Sequence, residues 1–314
     1  GKLATVFCCL RSGSTVMIDR LLEDSTVKLW ICGRDFAALF GVELCYTEKD
    51  VRVHMKDIMA YKLFAVAVLA IWLFVQEFSL SSFITLASAI QGFAFLLLAR
   101  QAGEEGSMRG ISRKMLFTYG LALCFRLWST LFYLGYLPVD YSGYFVYQGT
   151  DVLTLLVIVN LMFRALHRYP SADEDSFWVS VPIAVALVLG WLVHPNLDNV
   201  EHADAAWMTS LWLEAAAFCP QIWMVSRAGR CRSLTAHFVA LSFASRCIVA
   251  LFWLEAYPQL KIMSHVYGEG LVYDFTPGYA VLAAYLLQVL VIADFMFAYL
   301  RSTRRPQMDS VMEL

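Results

Sequence analysis

Charge is what this chain has least of. Of its 314 residues 16% are charged and 60% are hydrophobic, whereas soluble domains run nearer a quarter charged and half apolar. Catalytic signatures are missing as well: there is no HExxH, no GxSxG and no phosphate-binding glycine loop. No histidine or cysteine stands at metal-ligand spacing from His237, which reads as a helix-end or packing residue. The net charge is -2 and no basic stripe stands apart from the membrane flanks, so nucleic acid is set aside as a partner. The opening residues do not read as a secretory signal peptide. These absences point away from an enzyme and away from any cofactor or metal.

What is present is a series of apolar runs. Mean hydropathy is +0.61, and the excess falls in separate runs near the length that crosses a hydrocarbon core of about 30 Å. Eight candidate spans follow: roughly 58–75, 83–98, 115–137, 146–163, 177–193, 205–225, 235–254 and 279–300. In the first, Lys62 leaves only Leu63–Val75 uninterrupted, and a lysine there can snorkel to the headgroups. The runs are too long and too continuously apolar for barrel strands. The expected fold class is an all-α polytopic membrane protein.

Lys and Arg divide the loops sharply. Twenty lie in 1–57, 99–114, 164–176, 226–234 and 301–314, and Lys261 alone represents the opposite loops. The positive-inside rule then places both ends in the cytosol. The other face is acidic, with Glu77, Asp140, Asp198, Glu201, Asp204, Glu255, Glu269 and Asp274, and it also holds His194, His202 and His265. Histidines there could sense pH near 6. None of the eight cysteines falls in a loop on that face, so luminal disulfides are not expected. Residues 1–57 read as a cytosolic extension, in which the adjacent pair Cys8 and Cys9 is open to lipidation or to remaining free thiols.

Four ionisable residues are read inside spans: Arg126, Glu214, Arg246 and Asp294. Each costs about 2.5–3.5 kcal/mol at a helix centre in lipid. Two readings remain open: ion pairs that only lock helices together, or a cavity that receives a charged ligand. Asp204, Trp207, Leu211 and Glu214 share one face of one helix, and Arg246 shares a face with Trp253. Acid, aromatic and arginine on neighbouring helices would line a polar groove. Trp207 is equally compatible with an interfacial belt.

These residues, taken in order, resemble a known family. Gly110-Ile111-Ser112, Leu213-Glu214, Pro220-Gln221, Thr235-Ala236-His237-Phe238, Arg246, Trp253, Gln288 and Asp294-Phe295 follow one another as in the KDEL receptors, the ER lumen protein-retaining receptors of the PQ-loop and SWEET architecture. The resemblance covers about 83–302 and implies a seven-helix bundle of two three-helix repeats and a linker helix. Hydropathy and loop charge give an N-terminal cytosolic extension (1–57) and an extra membrane helix within 58–78, both departures from the seven-helix receptors; the expected receptor-like domain is 79–302, with a cytosolic tail at 303–314.

The resemblance also implies a function. Such receptors bind C-terminal Lys-Asp-Glu-Leu-like tails in a luminal cavity, favoured at acidic pH, and return with their cargo in coat-protein-I vesicles from Golgi to ER. On that likeness Arg126 would hold the tail's carboxylate, Asp204 would face its lysine, and Trp207 and Trp253 would line the cavity. Glu214 and Arg246 would couple binding to conformation, while Pro220, Gln221, Gln288 and Asp294 would be structural or trafficking positions. The partners implied are the tails of luminal proteins, the coat machinery and membrane lipid.

The chain departs from the family at several points. No arginine or histidine lies in 83–98, Ser245 replaces a tyrosine, Ala256 an arginine and Ser129 an aspartate, and the tail has no dilysine signal. A small-solute transporter on the same architecture, and a sorting protein whose cavity binds nothing specific, are the competing expectations.

Overall fold

The computed structural model describes residues 48–74, 81–106, 108, 110–133, 135–137, 145–167, 176–197, 199–228, 230–260, 262–266, 270–303 and 311–313. Among them are eight α-helices: α1 (Glu48–Phe74), α2 (Ser82–Glu105), α3 (Arg113–Phe132), α4 (Phe145–His167), α5 (Ser180–Leu192), α6 (Glu201–Ala228), α7 (Ser233–Ala256) and α8 (Thr276–Thr303). The chain divides into two compact units, residues 1–65 with 300–310 and residues 66–299 with 311–314. The site described below lies within the second. The Cys8–Cys9 pair lies outside the described residues.

Five helical segments are long and apolar enough to cross a membrane: Ser82–Glu104, Arg113–Phe132, Phe145–His167, Leu234–Leu260 and Thr276–Ala293. Ile58–Ile71 and Ser180–Leu192 are apolar but shorter. The expected span at 205–225 lies inside α6, whose 28 residues run about 42 Å at 1.5 Å per residue. It is long but not uniformly apolar, since it carries Asp204, Ser210, Glu214 and Gln221, all of them buried. The expected span at 115–137 ends five residues early. Tyr133 is extended at φ -135°, and the Gly135 N–H donates to the Ser129 carbonyl at 3.3 Å.

Local chemistry sets several helix ends. Gly106 closes α2 in the left-handed region at φ 57°, a conformation that favours glycine. Ser112 caps α3, its hydroxyl accepting from the Met115 N–H at 3.1 Å. Asp274 precedes α8 and accepts from the Thr276 N–H at 2.8 Å. The all-helical expectation contained no strands. The structure adds two short antiparallel ribbons outside the helices: β1 (Arg230–Arg232) with β4 (Val311–Glu313), and β2 (Ile262–Val266) with β3 (Gly270–Asp274).

Helix packing carries an internal symmetry. α4 packs on both α2 and α3, α6 packs on α3 and α5, and α7 packs on α2. Exchanging α2 with α6 and α3 with α7 maps the α2–α7 contact onto the α6–α3 contact. The sequence supports that exchange, since the step from Gln101 to Gln221 equals the step from Arg126 to Arg246, and from the start of α3 to the start of α7. Gln101 and Gln221 play matching parts. The Thr235 hydroxyl at the start of α7 donates to Gln101 at 2.9 Å. Ser112 N–H at the start of α3 donates to Gln221 Oε1 at 2.9 Å, and Gln221 Nε2 donates to the Gly110 carbonyl at 2.8 Å.

Two large apolar layers lie in the second unit, beside a small cluster of Ala122, Ala186 and Leu213. One is built on Phe95, Tyr119, Phe218 and Phe238, the other on Tyr147, Trp207, Phe252, Trp253 and Tyr285. On α6 the second layer takes Trp207 and Leu211, and the first takes Ala217 and Phe218. Glu214 stands between them.

Candidate functional site

Between these layers four charged side chains form one chain of contacts. Arg126 of α3 donates from Nε to Asp151 Oδ2 at 2.7 Å and from Nη2 to Asp151 Oδ1 at 3.0 Å. Its Nη1 donates to Glu214 Oε1 at 2.5 Å. The other oxygen of Glu214 accepts from Arg246 Nη1 at 2.7 Å. Arg246 Nη2 also donates to the Tyr119 hydroxyl and to Gln91 Oε1, at 2.5 and 3.3 Å. The order is Asp151, Arg126, Glu214, Arg246. Glu214 is 0% exposed, Asp151 2%, Arg246 3% and Arg126 7%. Charges this deep persist in lipid only when paired and hydrogen-bonded, and two acids against two arginines leave no net charge.

Neighbouring polar groups hold the chain in place. The Ser88 hydroxyl donates to Asp151 Oδ1 at 2.8 Å, and Gln91 Nε2 donates to Ser242 at 3.1 Å. Arg126 lies 6.0 Å from the centroid of the Tyr147 ring, and Arg246 lies 5.7 Å from that of Tyr119. α2, α3, α4, α6 and α7 each supply at least one member.

The aromatic layer sits on the side of the network toward the start of α6. Trp207 and Trp253 are edge-on at 6.0 Å, and Tyr136 contacts both at 5.9 and 4.6 Å. Both tryptophans are buried, so Trp207 is a wall of the bundle interior and not a headgroup anchor. The Tyr136 hydroxyl donates to Gln259 at 3.0 Å, and burial pushes its pKa up to about 12.

The site residues expected from sequence therefore separate into groups. Arg126, Glu214 and Arg246 meet directly. Trp207 and Trp253 meet one another. Asp204 is farther toward the start of α6, where its Oδ2 accepts from the Leu197 N–H at 3.2 Å. Pro220 is buried inside α6, and Gln221 bonds the start of α3 as above. Gln288 Nε2 donates to the Leu211 carbonyl at 3.1 Å, which ties α8 to α6. Asp294 lies on α8, but its side chain falls outside those described.

The count of four intramembrane charges needs a correction. Asp151 is a further acid within the expected span at 146–163, and it is the one that pairs with Arg126. Gln91, Tyr119 and Ser88 were missed too. Their signal was weak, since polar residues on an apolar helix are ordinary. Asp151 had a clear one: it is the one acid of α4, and no other charged residue occurs on that helix before Arg164 in its last turn.

Two of the departures from the resembled family have become packing contacts. The Ser245 hydroxyl donates to the Ala87 carbonyl at 2.7 Å, tying α7 to α2. Ala256 is fully buried in the aromatic layer.

Comparison with known proteins bears on these residues. The family model for the ER lumen protein retaining receptor matches residues 107–256, a stretch that holds the whole four-charge chain. An ER lumen protein-retaining receptor of Caenorhabditis elegans, erd-2.1, is 25% identical over 219 residues, covering 68% of this chain and 90% of the relative. A second from the same organism, erd-2.2, is 27% identical over 225 residues, covering 70% and 92%. The receptor of Kluyveromyces lactis is 20% identical over 219 residues, covering 66% and 86%. The resemblance read from the sequence therefore stands: this helical membrane chain is similar to the ER lumen protein-retaining receptors, at low identity and through the segment that carries its buried charges.

Proposed function

We propose that this protein is a retention receptor of ER and Golgi membranes, which binds the C-terminal Lys-Asp-Glu-Leu-like tails of luminal proteins and returns them to the ER by retrograde vesicle transport. It is not an enzyme. Its partners are those tails, the coat-protein-I machinery on the cytosolic face and the surrounding lipid. The observation that carries the reading is the buried Arg126, whose planar fork already grips a carboxylate side-on beneath a wall of Trp207, Trp253 and Tyr136. A site shaped to hold one carboxylate in two parallel hydrogen bonds is chemically suited to a peptide terminus. Asp204, near the outer end of α6, supplies the acid for the tail's lysine.

The test is peptide binding to purified protein between pH 5 and 7.5. A Lys-Asp-Glu-Leu-ended peptide is compared with its C-terminal amide and with a scrambled sequence, on wild type and Arg126→Ala. Binding that needs both the free carboxylate and Arg126 is expected. Equal binding of acid and amide, or none at any pH, refutes the reading.

The symmetric exchange of α2–α7 with α6–α3 favours one alternative, a small-solute transporter that rocks between two related halves. Uptake of sugars or amino acids into proteoliposomes, without carboxylate-dependent peptide binding, would establish it instead.

A further inference from the structure

Arg126 is assigned to a ligand carboxylate, yet it is already engaged. Asp151 meets it through two nearly parallel bonds of 2.7 and 3.0 Å, the same fork that a peptide terminus would use. The third nitrogen, Nη1, is committed to Glu214. Asp151 arrives from α4 and is positioned by Ser88 of α2, so its place on the fork is built by two helices and not by a chance rotamer. We propose that Asp151 is a resident competitor for the tail: it occupies the fork of Arg126, and a tail carboxylate binds by displacing it. This rests on the retention-tail reading above and adds to it a residue that sets affinity and its response to pH.

Charge balance leads to the same place. Two acids and two arginines are neutral as they stand. A third carboxylate entering beside them would leave an unpaired negative charge in a low-dielectric interior, which is strongly unfavourable. One of the resident acids must therefore move out or take up a proton. Glu214 bridges both guanidiniums, and its loss would strip Arg246 of its only described carboxylate partner. Asp151 serves Arg126 alone, so its departure leaves the Arg126–Glu214–Arg246 bridge intact. Asp151 is the acid that can be exchanged.

The groups around Asp151 narrow the source of any acid response. They are Ser88 of α2, Arg126 and Tyr119 of α3, Tyr147 on its own helix and Glu214 of α6, with Arg246 of α7 behind Glu214 and Tyr285 of α8 beside Tyr147. Arginine and tyrosine keep their charge state across pH 5–7.5, and no histidine is among these groups. Among the groups around Asp151 a carboxylate is therefore the one that can take up a proton in this window, and neutralising Asp151 frees the fork without breaking the bridge.

The experiment measures the same acid and amide peptides on wild type, Asp151→Asn and Ser88→Ala across pH 5–7.5. Asp151→Asn preserves shape and removes the competing charge. It is expected to bind the free-acid peptide about tenfold tighter or more at pH 7.5, with a flatter pH profile than wild type. Ser88→Ala leaves every charge in place and loosens Asp151, so it should move affinity the same way by a smaller factor. It keeps the proposal testable if Asp151→Asn does not purify as a folded species. If wild type binds in a carboxylate-dependent way and neither variant changes affinity or its pH profile, the competitor role is overturned and the receptor reading survives. If no chain binds the free acid in preference to the amide, the receptor reading fails and takes the competitor with it.

Discussion

Glu214→Gln is the substitution whose consequence follows most directly from the geometry. Glu214 is 0% exposed and places one oxygen on each of two guanidiniums, at 2.5 Å from Arg126 and 2.7 Å from Arg246. Glutamine keeps the shape, removes the charge and turns one acceptor into a donor that faces a guanidinium. Arg126 would still hold Asp151. Arg246 would be left with the neutral Tyr119 and Gln91, a buried ion without a counter-charge. Breaking one side of a buried pair costs about 3–5 kcal/mol, and retention of the Arg126–Asp151 pair keeps the loss in that range and not at twice it. The companion Glu214→Gln/Arg246→Gln removes both charges, so its cost should fall short of the sum of the single substitutions by about 2 kcal/mol. The assay is equilibrium unfolding in mixed micelles, with the four proteins of the cycle measured together. A Glu214→Gln protein within about 1 kcal/mol of wild type, or strictly additive costs, would refute the claim that this network carries paired and desolvated charge.

Other consequences are local. A Cβ on Gly190 of α5 would collide with Thr209 Oγ1 and stand 2.6 Å from the Thr209 Cα and N atoms. Backbone cannot yield as a side chain can, so Gly190→Ala should destabilise by about 1–3 kcal/mol in the same unfolding assay, despite alanine's better helix propensity. Gln221→Ala leaves the Ser112 N–H and the Gly110 carbonyl without their partner; a loss of about 1–3 kcal/mol is expected, and a neutral result would show that this end of α3 needs no support from α6. The hydrogen bonds that Thr276 gives Asp274 hold its carboxyl below the usual carboxylate range. A depressed folded pKa gives stability that is present above the unfolded value and lost only as pH falls through the folded one. This cap therefore stays charged from pH 7.5 to 5, and Asp274→Asn should leave the pH profile of peptide binding in that window unchanged.

How much of this was visible beforehand depended on the kind of signal. Long apolar runs are local, and the helices appeared close to where hydropathy placed them. Their ends were less legible, because α3 stops where a backbone bond from Gly135 to Ser129 turns the chain, and α6 runs on past the expected apolar core because its polar face is covered by other helices. Arg126, Glu214 and Arg246 stood out by their charge in apolar surroundings, and they are in contact. Which acid would reach which arginine was not legible. Pairing depends on how helices distant in sequence are rotated against one another, and no spacing within a single helix encodes that rotation. Asp151 shows the consequence. On α4 alone it reads as one acid near a span end; with α2 and α3 beside it, it becomes the group that holds Arg126. Hydropathy located the charged layer, and helix packing decided which arginine stands against which acid. The binding properties proposed for this chain turn on that second step, because a receptor and a merely locked bundle would carry the same arginine and differ in whether Asp151 can let it go.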